Sequence, residues 1–217
     1  MKKHLYFVSG MAANSKIFER MSFPSDKFEI HYLDWILPLS KKETLENYAA
    51  RLCEKITQPY PILIGVSFGG VVVQEMSKII PTEKTILISS IKLTKELPWR
   101  LRFVRDSKLY KVFPSQSIEF FVNALFLISG KGGQKKKLLY EKYLTVRNPK
   151  FLNWAVEKML HWQQKEPLEN TVHIQGEYDN VFPLKYIRKC VMVEKGTHAM
   201  VVTKATTLQK IILDHIK

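Results

Sequence analysis

The sequence predicts an α/β protein: a mostly parallel six-stranded sheet, helices on both faces, and a helical insertion in the second half of the chain. Three observations carry this. Strand-like and helix-like stretches follow one another as β, β, α, β, α, β over residues 5–89. Two of the strand-like stretches, 62–66 and 86–88, are unbroken apolar runs, as expected where a parallel sheet is buried on both faces. The third is Pro61-Ile62-Leu63-Ile64-Gly65-Val66-Ser67-Phe68-Gly69-Gly70, a short apolar strand that ends in Gly-x-Ser-x-Gly and passes at once into helical spacing.

Taken in order, Leu5-Tyr6-Phe7-Val8-Ser9 is a strand ending at Gly10. Lys2-Lys3 before it faintly imitates a signal peptide, but the apolar stretch is short and broken by Ser9 and Gly10, so it is assigned to the sheet. Residues 11–20 form a loop passing into a short helix. Phe28 to Leu33 alternates and is rich in β-formers, which makes a second strand. Ser40 and Glu43 have capping-box spacing. Leu45, Tyr48, Ala49, Leu52, Cys53 and Ile56 then mark one face of an amphipathic helix. After the 62–66 strand, Val72, Val73, Met76, Ile79 and Ile80 mark a second helix, stopped by Pro81. Thr85 to Ser89 is the fourth strand. Helical tracts at 99–105, 118–126 and 151–162 interrupt the alternation, with a basic glycine loop at Gly130-Lys131-Gly132-Gly133. Sheet order resumes with strands at 171–175 and 190–193, and a helix from Ala205 to Ile216 follows. The expected division is therefore a core of residues 1–91 and 170–217 with a helical insertion over 92–169.

At 217 residues the chain is long enough to bury one sizeable core. Its formal charge of +14 is uneven: residues 92–169 hold 16 Lys+Arg against 7 Asp+Glu, and the remainder 18 against 13. Such asymmetry can draw an anionic partner to the insertion, although a solvated surface is the simpler reading. Two cysteines make no disulfide framework; Cys53 and Cys190 are expected as buried thiols in a reducing, cytoplasmic compartment. The sequence shows no metal-ligand spacing and no dinucleotide fingerprint, so it implies no cofactor and no metal.

The elbow-like turn directs attention to Ser67. A serine nucleophile needs a base and a third group that orients the base. In a parallel sheet these sit just past the C-terminal ends of strands. Two stretches fit: Gly176-Glu177-Tyr178-Asp179-Asn180-Val181-Phe182-Pro183 after the 171–175 strand, and Gly196-Thr197-His198-Ala199-Met200 after the 190–193 strand. Glu177 and Asp34 compete with Asp179 for the acid, and Asp34 follows a strand at the other end of the topology. His31 and His173 lie within strands as packing or surface residues, and His161 ends an insertion helix.

In this chain order and on these strand ends, the elbow, Gly-x-x-Asp-x-x-x-Pro at 176–183 and Gly-Thr-His at 196–198 resemble the α/β-hydrolase superfamily. The likeness covers about two-thirds of the chain and excludes the insertion, which in that superfamily is a variable lid. It implies spatial strand order 2-1-3-4-5-6, with Ser67 as nucleophile, His198 as general base then acid, and Asp179 as its orienting carboxylate. It further implies elbow glycines Gly65 and Gly69 and an oxyanion hole from the backbone N–H groups of Phe68 and Met11. Many members carry His-Gly at the second donor's loop, where this chain has Ser9-Gly10. The implied activity is hydrolysis of a carboxylic ester or thioester through an acyl-enzyme. Acyl transfer on the same triad is the nearest alternative; a basic membrane- or nucleic-acid-associated binding protein on the same fold is the other. Trp99, Phe120, Phe121, Trp154 and Trp162 are candidate pocket or lid-core residues.

Overall fold

The six strands expected from the sequence pair in the order β2-β1-β3-β4-β5-β6. They are β1 (Lys3–Val8), β2 (Phe28–Tyr32), β3 (Ile62–Val66), β4 (Lys84–Ile88), β5 (Thr171–Gly176) and β6 (Val191–Val193). Every neighbouring pair is parallel. The molecule is represented by a computed structural model that describes residues 2–111 and 141–217. All five residues of β3 are buried, which is why that segment reads as an apolar run rather than an alternation.

Helix α1 (Leu45–Cys53) and helix α2 (Phe68–Ile79) pack against one another, and α2 lies along β3. The start of α1 departs from the expected capping box. Ser40 and Glu43 close a turn ahead of the helix: Ser40 Oγ accepts from Lys42 N–H, and Glu43 accepts from Leu39 N–H at 2.6 Å and pairs with Arg51 at 2.8 Å. Thr44 is the true cap, its hydroxyl accepting from Asn47 N–H at 3.1 Å.

Between β4 and β5 lie α3 (Trp99–Asp106) and α4 (Pro149–His161). Asn148 caps α4 through Lys150 N–H and Phe151 N–H, and Pro149 takes the first helical position, where its missing N–H costs nothing. The apolar face of α4 packs back onto the core. Trp154 is buried against Tyr48, with ring centroids 4.4 Å apart, and its indole N–H donates to Glu43 O at 2.9 Å. Burying such a ring contributes about 3 kcal/mol or more. No residue of α3 is buried, and Trp99 and Phe103 stand exposed on it. The expected tract 118–126, with Phe120 and Phe121, and the loop at 130–133 lie outside the described residues.

Short helix α5 (Met200–Thr203) and helix α6 (Ala205–His215) follow the last strand. Cys53 is buried at the end of α1, whereas Cys190 is only half-buried, because it precedes edge strand β6, whose own Val191 and Met192 are not buried either. Among the described residues, no helix is long and apolar enough to cross a membrane.

Candidate active site

The strand order creates the site. From β1 the chain first adds β2 on one side and later β3 on the other, so the loops leaving β1 and β3 diverge and open a crevice. Ser67 sits at the end of β3, at φ 55° and ψ −119°, a strained conformation for a residue with a side chain. Three hydrogen bonds hold it there. Ser67 N–H donates to Ile88 O at 2.9 Å, and Ser67 O accepts from Gly70 N–H at 2.9 Å and from Ser90 Oγ–H at 2.7 Å. Glycine is obligatory on both sides of the turn. A Cβ at Gly65 would lie 2.3 Å from Gly69 O, and one at Gly69 would lie 2.3 Å from Ser9 O. The second clash shows how tightly the elbow abuts the loop after β1.

Asp179 and His198 arrive from the ends of β5 and β6, and their loops are joined by a 2.7 Å bond from Tyr178 N–H to Gly196 O. His198 Nε2 is 3.1 Å from Ser67 Oγ, and His198 Nδ1 is 3.0 and 3.2 Å from the two oxygens of Asp179. The network assigns the tautomer: Nδ1–H donates to the carboxylate, which leaves the Nε2 lone pair facing the serine hydroxyl. Of the three carboxylates considered from the sequence, only Asp179 touches His198. Glu177 accepts from Lys195 N–H at 2.8 Å, and Asp34 is exposed.

The Asp179 side chain is fully buried. Burial by itself would raise its pKa, but the adjacent His198 and the N–H groups of Phe182 and Val181 outweigh that and hold it below the usual carboxylate value. Gln175 adds a further donor, its amide reaching Asp179 Oδ2 at 2.9 Å and Phe182 O at 2.7 Å. Behind it, His173 Nε2 lies 3.1 Å from Ser90 O and 3.3 Å from Gln175 Oε1. Both partners are acceptors, so Nε2 carries the proton and orients the Gln175 amide. Burial, followed by the charge of Lys92, pushes the His173 pKa down to about 4, so the ring is neutral. One chain of hydrogen bonds thus runs from Ser90 through His173 and Gln175 to Asp179, and Ser90 also braces the elbow.

Sequence reasoning missed Gln175 and Ser90 and placed His173 only as a packing or surface residue. The available signal was the alternation of His173 and Gln175 in a strand otherwise flanked by apolar neighbours. Polar side chains on a doubly covered strand need partners, and these two find each other.

The loop after β1 is braced by Ser9 Oγ–H donating to Ala13 O at 2.7 Å, so serine here ties the loop rather than facing the site. Gly10 lies beside Ser67, its Cβ direction 3.7 Å from Ser67 Cβ. Phe68 opens α2, so its N–H has no intrahelical acceptor. Met11 follows Gly10 on the same wall as Ser67.

Over Ser67 lies a cavity of about 170 Å³. Met11, Leu101, Val156, Met159, Leu160, Val181 and Phe182 line it together with Ser67 and His198, and among the described residues no Lys, Arg, Asp or Glu does. Trp99, Trp154 and Trp162 do not line it. Trp99 points to solvent, Trp154 packs beneath α4, and the Trp162 indole N–H donates to buried Glu75 at 2.6 Å. Large aromatics on an amphipathic helix seek an interface within the core, and here that is the contact of α4 with α1 and α2, leaving Met, Leu and Val to face the cavity. His161 meets Tyr110 Oη at 2.9 Å on the surface.

No protein-family model matches the sequence, and no curated protein matches it either. Solved structures do match in shape. The structure of MenH from S. aureus superposes with a TM-score of 0.71 at 20% identity, covering 99% of this chain and 93% of that one. A bromoperoxidase from Bacillus anthracis gives 0.69 at 13% identity, with 100% and 92% covered. A thermophilic esterase from Thermogutta terrifontis gives 0.65 at 15%, with 100% and 90% covered. The chain has the α/β-hydrolase fold.

Proposed function

We propose that the protein is a serine hydrolase that cleaves a carboxylic ester or thioester carrying a small, uncharged acyl group. The observation that supports this most directly is the run of contacts from Ser67 Oγ through His198 to Asp179, opening onto an apolar cavity. In the first step His198 Nε2 takes the Ser67 proton as the oxygen attacks the acyl carbonyl. The developing oxyanion is met by the N–H of Phe68, at the positive end of α2, and by Met11 N–H. His198 then protonates the leaving alcohol or thiol. Water, deprotonated by the same imidazole, releases the acid and restores Ser67. Asp179 stays ionised throughout and stabilises the imidazolium.

The cavity supports the substrate class. At about 170 Å³ it is close to the ~150 Å³ of a cavity that accepts benzene, and with no charged side chain among its described lining it would leave a charged acyl terminus without a partner. The fold supports a hydrolase generally, and the choice of substrate rests on the cavity rather than on the similar structures. The test is a panel of p-nitrophenyl esters and acyl-CoA thioesters of graded chain length, with and without a competing alcohol or amine. Short and medium acyl groups should turn over, and Ser67→Ala should lose about 10⁴-fold or more and its fluorophosphonate labelling. Labelling that persisted in the alanine variant would remove Ser67 as nucleophile. Product channelled chiefly to the added nucleophile would identify an acyltransferase.

A further inference from the structure

At the opposite end of the sheet, β1 and β2 bring together three side chains that the proposed chemistry does not use. The parallel register sets His4 against Glu29 and Tyr6 against His31, so all four project from one face of the two strands. His4 Nδ1 and His31 Nε2 face each other at 3.0 Å. Glu29 offers one oxygen 3.8 Å from His4 Nδ1 and the other 3.7 Å from His31 Nε2. We propose that His4, Glu29 and His31 form a binding site for a divalent transition-metal ion of the zinc type, which clips edge strand β2 to β1.

Two atoms bound about 2.05 Å from one tetrahedral ion stand about 3.3 Å apart. The two ring nitrogens stand 3.0 Å apart and each has a different Glu29 oxygen at 3.7 or 3.8 Å, all within about half an ångström of that figure, while one ligand atom from each of the three residues can be chosen within 4.8 Å of the others. Small rotations of the two rings and of one carboxylate complete the triangle, without backbone movement. His31 is already held, because its ring stacks on buried Tyr6 at 4.3 Å between centroids and 13° between planes. The set is also chemically selective. Two imidazoles and one carboxylate suit Zn²⁺, Co²⁺, Ni²⁺ or Cu²⁺, whereas Mg²⁺ and Ca²⁺ prefer oxygen ligands throughout. Glu29 is half-exposed, which leaves a fourth position to water.

In the ion's absence one N–H···N hydrogen bond joins the rings. On binding, the proton between them moves by exchange with solvent to the other nitrogen of its ring, and both facing lone pairs turn to the ion. The site cannot enter the reaction at Ser67. His4 lies near the start of β1, and the candidate active site lies beyond its other end, roughly 13 Å or more along the strand. Its consequence is mechanical. Among the described residues β2 pairs on one side only, and an ion shared with β1 ties that edge down.

Calorimetry with ZnCl₂ on tag-free protein tests this, together with thermal denaturation and the visible spectrum of the Co²⁺ form. One equivalent should bind saturably, raise Tm and give the absorption of tetrahedral cobalt; adventitious pairing with a chain of formal charge +14 would give none of these. His31→Gln should lose the bound equivalent, Glu29→Gln should weaken it, and His198→Ala should keep it. Glu29→Gln changes only a half-exposed side chain, so it folds if the wild type does. Binding unchanged in both Glu29→Gln and His31→Gln, or no saturable equivalent in the wild type, would leave a hydrogen-bonded imidazole pair only.

Discussion

Two histidine–carboxylate clusters occupy opposite ends of the same sheet, and they differ in how water reaches them. At the C-terminal end Asp179 is fully buried and accepts from Val181 N–H, Phe182 N–H, Gln175 and His198. At the N-terminal end Glu29 is half-exposed and stands 3.7 Å or more from its imidazoles. Burial with several donors makes a carboxylate rigid and keeps it charged, which suits it to holding one imidazole in one tautomer. Exposure leaves a carboxylate free to move, which suits it to closing on an ion from solvent. The same residue types therefore serve opposite ends through their surroundings. His173, buried without a carboxylate, is a third case: its environment removes its charge altogether.

The sharpest way to break the comparison is to remove the charge at each end. Asp179→Asn should cost about 10⁴-fold in turnover by upsetting the His198 tautomer. Glu29→Gln, Glu177→Gln and Asp34→Asn should each leave kcat/KM within about twofold, since none of these carboxylates contacts His198. Steady-state kinetics on the four variants checks this; an equal loss from Asp34→Asn would move the acid to the β2 end.

The neutral imidazole is tested by pH. His173 in the fold titrates at about 4, below its ordinary value of 6.5, so between those values the unfolded chain binds the additional proton. Stability should therefore fall as pH drops from about 6.5 towards 4, by on the order of 3 kcal/mol over the window. Urea denaturation at several pH values should show this limb, and His173→Asn should flatten it. A limb that survived in the variant would place the acid-sensitive group elsewhere.

Gln175 links the buried His173 ring to Asp179. Gln175→Leu should lower kcat about 10- to 100-fold with KM little changed, because it removes one donor from Asp179 and leaves the substrate cavity intact. Gln175→Glu, which sets a second negative charge beside Asp179, should do worse than Gln175→Leu. Equal activity of wild type and both variants would reduce Gln175 to a packing residue.

The smallest effect concerns the cavity wall. Met159→Ala and Leu101→Ala enlarge it away from Ser67, and each should shift the preferred acyl group by one or two carbons, worth about 1–3 kcal/mol in discrimination. Trp154→Ala should instead lower Tm and leave the chain-length profile unchanged, because Trp154 packs beneath α4. An unchanged profile in both cavity variants would assign the insertion a structural role.

The spatial order of the strands was implied by the resemblance, while local pattern in the sequence was enough to mark out the strands, their parallel run, the elbow at Ser67, and the strand ends that carry His198 and the competing carboxylates. Each depends on short-range rules: apolar runs, glycines where a Cβ would strike backbone, and polar residues just past strand ends. Tertiary structure alone decided what depends on through-space neighbours. It selected Asp179 over Glu177 and Asp34 by distance to His198, and Thr44 over Ser40 as the cap by where Glu43 could find partners. It turned Trp154 and Trp162 away from the cavity, because α4 and its end pack these rings against α1 and α2 and leave smaller residues over Ser67. It also set His4 beside His31 and Glu29, and that meeting comes from the register of two strands more than twenty residues apart in the chain. Spacing along one segment carries no trace of such a pairing, since the hydrogen-bonded ladder, not the chain, makes those residues neighbours.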